Sequence, residues 1–302
     1  MTNAMISSEE AQSYQSKGLS PRRRTYEVGM RGLLYLSAGI TCLLLLFLIG
    51  YILYRGLPNL NWTFLTSQES VLRGTDGIMP AIQNTLYVIV VTLIFILPLG
   101  VGAALWLNEY GSRSPMSRYI RLGVNNLAGV PSVVFGLFGL SFFVTFLGMG
   151  VSLLAGVLTL AVLTLPVIIN TTEEALRQVP DAWREASYAL GGTKSQTIVR
   201  VVLPSALPGM LTGAILGLSR AAGETAAIMF TAAVFYTPKM PDSVFSAVMA
   251  LPYHMYVLAT AGTEIEKTRP LQYGTALVLL VLVLGMNLAA VALRDRMQRR
   301  RR

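Results

Sequence analysis

The chain has one cysteine, Cys42, and one histidine, His254, in 302 residues. No intramolecular disulfide can form, and metal motifs that need two such ligands are excluded. Charge is scarce too: 13% of residues are charged, where soluble domains carry about a quarter. Acids are outnumbered, 15 to 24, giving a formal net charge of +9. Nucleic acid would explain that excess in a polar protein. Here 53% of residues are hydrophobic, and the arginines lie at the edges of apolar runs, as membrane orientation requires. A P-loop is missing, because Tyr188 and Thr193 stand where it needs glycines ahead of Lys194-Ser195. An intramembrane enzyme would need a nucleophile with a base, or several ligands, and that set is absent. The chain by itself is therefore read as no enzyme, with no catalytic residue, no metal and no bound cofactor.

What is present is apolar sequence in long runs. Residues 1–30 read as a polar tail ending in Arg22-Arg23-Arg24, and 31–55 as a first span, apolar from Leu33 to Tyr54. The span is too long for a signal-peptide core, and no small-residue cleavage site follows, so it reads as a retained anchor. A polar loop fills 56–80. The remainder, 81–293, reads as one core of five spans, beginning with Ala81–Leu107. The region 122–147 is irregular, interrupted by Asn125-Asn126, Gly129 and Pro131. It is either a broken helix beside a cavity or a close-packed small-residue helix. Further spans are expected at Val151–Ile169, Gly209–Val234 and Tyr273–Leu293. The proline-split run around Pro252 reads as lying at the interface or dipping partway, with His254 a local interface residue. Residues 294–302 are a basic tail.

Lysine and arginine placement sets the orientation. Only Arg55, Arg73, Lys239, Lys267 and Arg269 fall on one side. Arg220 falls inside a span, and the others lie in both tails, the loop after the second span, and the segment Glu173–Pro204. Both termini and that segment are expected in the cytoplasm, which six spans allow.

The segment Glu173–Pro204 reads as helix, elbow, helix. Pro180 suits a helix start. Gly191-Gly192 suits a left-handed stop, and Thr193 with Gln196 is a capping-box signature for a second helix ending before Pro204. A charged, preformed elbow on a membrane protein is built to dock.

Arg220 and Glu224 are the charges left inside a span, both assigned to the fifth helix one turn apart. Each costs about 2.5–3.5 kcal/mol near mid-membrane on insertion scales. Either they neutralise one another and lock the bundle, or Arg220 offers a guanidinium fork to a passing oxyanion while Glu224 keeps binding weak. Beside them Gly209, Gly213 and Gly217 form a small-residue row for close helix approach.

Glu185-Ala186-Ser187, then Gly191, then Val201-x-Leu203-Pro204 resembles the spaced loop of type I ABC-importer permeases, with Ser187 and Val201 at positions where Ala and Ile are common. Together with NLAGVPSVVFGLFG, LSRAAGETAAIMFTAA and ALPYHMYVLAT, the stretch from Ala81 to Leu293 resembles the A-type membrane subunit of bacterial phosphate-specific ABC importers. The resemblance implies an all-α polytopic fold of six transmembrane helices with a cytoplasmic coupling helix, in the bacterial inner membrane. It implies coupling residues Glu185, Ala186, Gly191, Leu203 and Pro204, and substrate-path residues Arg220 and Glu224. It also implies two ATP-binding subunits, which bind ATP and Mg, together with a sister permease and a periplasmic or lipid-anchored phosphate-binding protein. Other oxyanions, sulfate or molybdate, and a secondary anion transporter remain as alternatives. The last would have no reason for an elbow. A receptor role would show as copurification with a kinase and no transport defect on deletion.

Overall fold

The computed structural model describes residues 21–70, 75–111, 114–233, 241–261 and 265–299. Two units appear, one up to Tyr54 and one from Arg55 onward. The first is essentially helix α1, Pro21–Gly56. At about 1.5 Å per residue, α1 exceeds the roughly 30 Å of a bilayer's hydrocarbon core. It begins at Pro21, so the last ten residues of the expected tail are wound into it; residues 1–20 lie outside the described residues.

The second unit opens with more structure than a plain loop. A short helix α2, Trp62–Thr66, leads into strands β1, Gln68–Ser70, and β2, Thr75–Ile78, paired antiparallel with Gln68 opposite Ile78. Helix α3, Met79–Leu105, then runs into a π turn at Trp106–Tyr110. The irregular third region is two helices, α4 (Pro115–Ala128) and α5 (Ser132–Gly139, continued by a π turn to Phe146), bent by 104°. The break falls at Gly129-Val130-Pro131, where proline cannot extend the preceding helix.

Helix α6, Leu153–Arg177, outlasts its apolar stretch by two turns and carries Glu173 into the polar segment. Next come α7, Asp181–Ala189, and α8, Lys194–Thr197, which passes through a π turn at Ile198–Val202 into α9, Leu203–Gly223. The helix expected to stop before Pro204 therefore does not stop. A proline ring crowds the carbonyl four residues back, and the widened turn at that point makes room for it. The fifth span does break, at Gly223, before α10, Ala226–Thr231. Residues 234–240, which include the expected end of the fifth span at Val234, lie outside the described residues. Helices α11, Leu251–Thr260, and α12, Ile265–Arg299, complete the chain. Among the described residues, five helices are long and apolar enough to cross a membrane, or six if the bent pair counts as one span.

The run around Pro252 differs from the expected interfacial segment. Pro252 sits in the first turn of α11, where a missing N–H is harmless, and Val248, Leu251 and His254 are buried. The carbonyls of Val244 and Ser246 accept the free N-terminal amides of Leu154 and Leu153, and Thr85 Oγ1 accepts from Leu251 N at 2.8 Å. This stretch packs inside the protein, and His254 with it. Of the four apolar clusters among the described residues of this unit, two are the largest. One, around Leu160, Ile228 and Val248, joins α3, α5, α6 and α10. The other, around Leu107, Leu176, Val202 and Met210, joins α3, α4, α6 and α9 directly beneath the elbow.

Candidate functional site

The elbow is preformed by local chemistry. Pro180 is the residue ahead of α7, one position earlier than a first-turn proline. At the other end Gly191 has φ +81°, its amide donates to Tyr188 O at 2.9 Å, and Gly192 N donates to Ser187 O at 3.0 Å. These two bonds are a complete Schellman stop. Thr193 Oγ1 then accepts from Gln196 N at 3.3 Å while Gln196 Oε1 accepts from Thr193 N at 2.9 Å, the capping box that the spacing predicts. Ser187 and Thr197 hydroxyls meet at 2.8 Å and hold the two arms together.

Helix α7 buries none of its residues. Glu185 and Ala186 face outward, Leu190 is 91% exposed, and Trp183 is 51% exposed. A cleft of about 500 Å³ runs beside them, lined by Trp183, Ala186, Leu190, Gln196 and Arg200. Apolar groups set on a rigid, exposed elbow are the composition of a docking surface. Leu203 and Pro204 lie at the base of the second arm, half-buried, with Leu203 against the apolar cluster below.

Sequence reasoning did not find two ionic knots, one tying this surface to the end of α3 and one tying α4 to α6. In the first, Arg184, 13% exposed, donates to Glu109 Oε1 at 2.9 Å, to Leu176 O at 3.0 Å and to Val179 O at 2.7 Å. Lys194 Nζ donates to the Glu109 carbonyl at 2.6 Å and sits 4.5 Å from the Tyr110 ring centre. In the second knot, buried Glu173 accepts from Arg121 at 2.7 Å and from Arg177 at 2.5 Å, and Arg121 also donates to Leu107 O. The signal available in the sequence was the rarity of acids near the ends of the spans. Their partners, up to 85 residues away, are not legible from spacing.

The expected Arg220–Glu224 pair on one continuous helix is not formed. Helix α9 ends at Gly223, and Glu224 is extended (φ −74°, ψ 125°). Glu224 Oε1 accepts instead from Ala227 N at 3.3 Å, capping α10, while Arg220 in the last turn of α9 is exposed with no ion-pair partner among the described residues. Each charge is balanced by a helix end: the cation by C-terminal carbonyls, the carboxylate by an N-terminal amide. The small-residue row does bring helices together. A Cβ on Gly209 would approach that of Ala175 to 2.5 Å, one on Gly213 would strike Thr171 Oγ1, and one on Gly217 would come within 2.8 Å of Ile168. That packing fixes α9 against α6.

The model of the binding-protein-dependent transport system inner membrane component family matches residues 96–302. The probable ABC transporter permease protein YqgI of Bacillus subtilis is 35% identical over 271 residues, covering 86% of this chain and 92% of that one. The phosphate transport system permease protein PstA 1 of Mycobacterium tuberculosis is 41% identical over 227 residues, covering 75% and 72%. Among solved structures, a chain of a bacterial ABC transporter that imports the acidic polysaccharide alginate aligns with a TM-score of 0.61 at 17% identity. That alignment covers 91% of this chain and 99% of the other, and it establishes the likeness of fold.

Proposed function

Because the chain belongs to the family of binding-protein-dependent transport system inner membrane components, we propose that it is the permease subunit of an ATP-driven importer of inorganic phosphate. It forms half of the translocation path. The sister permease, two ATP-binding subunits and a phosphate-binding protein outside the membrane supply the rest. Both termini and the elbow face the cytoplasm. The carrying observation is the elbow, a Schellman stop and a capping box back to back, presenting exposed Trp183 and Leu190 beside a cleft. A gate without a motor would not need it.

In this reading ATP closes the ATP-binding subunits, which move the elbow, and α6 and α9 tilt with it. Phosphate released by the binding protein passes the break at Gly223–Thr225. There Arg220, exposed and without an ion-pair partner among the described residues, offers a planar fork that suits an oxyanion. Glu224, occupied as a cap, lowers the local positive potential and keeps the site from becoming a trap. No step of ATP hydrolysis belongs to this chain.

The test is phosphate uptake into vesicles holding the reconstituted complex. Uptake is expected to require ATP and the ATP-binding subunits, to resist excess sulfate, and to fall about tenfold or more in Arg220→Gln, the loss of a charge-assisted contact. Uptake driven by an ion gradient without the ATPase would contradict the reading.

A further inference from the structure

The way the elbow is attached gives weight to one residue on it, Arg184, and one outside it, Glu109. Helix α7 has no buried face, so apolar packing does not transmit its movement. Its covalent neighbours are α6 on one side and α8–α9 on the other. The third route is polar. Among the described residues, Arg184 is the α7 side chain that reaches α3, through Glu109 at 2.9 Å. Between α7 and the end of α3 lies an open cleft of about 370 Å³ lined by Asn108, Glu109, Arg177, Arg184 and Lys194. The ion pair lies at the edge of this space, with the Arg184 and Glu109 side chains 13% and 7% exposed.

Glu109 is placed for that task. It lies in the π turn Trp106–Tyr110, where the helical repeat is interrupted and side chains are re-aimed. A carboxylate at a helix C-terminus is disfavoured by the helix dipole unless cations answer it. Here its side chain is 7% exposed and accepts from Arg184 and from Asn108 Nδ2 at 2.9 Å, while its carbonyl accepts from Lys194. Both ends of Glu109 are therefore held, one from each arm of the elbow.

We propose that Glu109 and Arg184 are positioning residues that pass motion of the elbow directly to α3, so that the motor moves three spans together and not only the two that the elbow joins covalently. This rests on the reading of the elbow as the ATPase dock. Its test is the ratio of phosphate taken up to ATP hydrolysed in the reconstituted complex, for Glu109→Gln, Arg184→Gln and the double variant. Each single variant is expected to keep its ATPase subunits and hydrolyse ATP while uptake per ATP falls about fivefold, and the double variant to fall no further. A merely structural pair would lower the yield of complex and leave the ratio alone.

An unchanged ratio in Glu109→Gln would overturn the proposal, and so would a double variant whose loss is the product of the single losses. Should Arg184→Gln fail to assemble, Glu109→Gln decides, since it keeps the side chain's size. In the same preparations a thiol from Leu190→Cys, in a Cys42→Ala background, is cross-linked to the ATP-binding subunit. A cross-link with an unchanged ratio removes the clamp and spares the dock; no cross-link removes both.

Discussion

Gly191 and Gly213 both disfavour a larger side chain, for different reasons. At Gly191 nothing lies within 4 Å of an added Cβ, so space is free and the constraint is the backbone, φ +81°. Gly191→Val should cost about 1–2 kcal/mol through the left-handed conformation alone. It should leave the protein inserted while uptake per ATP drops, as measured in vesicles. Gly213 has ordinary backbone geometry but no room, since a Cβ would meet Thr171. Gly213→Val should therefore act on packing, at about 1–3 kcal/mol for overpacking, and appear as a lowered thermal midpoint of the detergent-solubilised complex. The first glycine was legible as a helix stop, and the second as one of a row at spacing four. Glu109 was not legible. It stands just past an apolar run, and what makes it matter is an arginine 75 residues away. Arg220 and Glu224 were legible as misplaced charges, but their pairing was misread because Gly223 ends the helix between them.

At the scale of elements, the elbow is the part whose sequence and structure agree most closely, because caps are local. Each bond of the capping box joins residues three apart, and propensity, turn chemistry and hydrogen bonding point the same way. Thr193→Ala should cost about 1 kcal/mol. Amide exchange over 193–197 should accelerate while exchange in the spans stays unchanged. Breaks and continuations inside the spans were harder to read. Pro204 looked like a terminus and is carried by a π turn, whereas the chain after Arg220 looked continuous and breaks. Both depend on whether neighbouring elements satisfy the freed backbone groups, which no local window reveals. The stretch before Pro252 is the same case: its carbonyls cap α6, so a run that resembled an interfacial segment is part of the interior.

For the whole molecule, the count and order of spans followed from hydrophobic length, since a bilayer imposes a minimum that composition cannot hide. The bend of 104° between α4 and α5 was beyond that reasoning, although Gly129 and Pro131 marked its place. The architecture concentrates rigid, apolar packing beneath the elbow, where Leu107, Leu176 and Val202 meet, and leaves the elbow itself exposed. The most direct measurement of this account is the fate of a single thiol, Leu190→Cys with Cys42→Ala, in inside-out and right-side-out vesicles carrying the full complex. A membrane-impermeant reagent should reach it in inside-out vesicles alone, and a short cross-linker should join it to the ATP-binding subunit. Labelling from the outer face, or a thiol that never meets that subunit, would contradict the account.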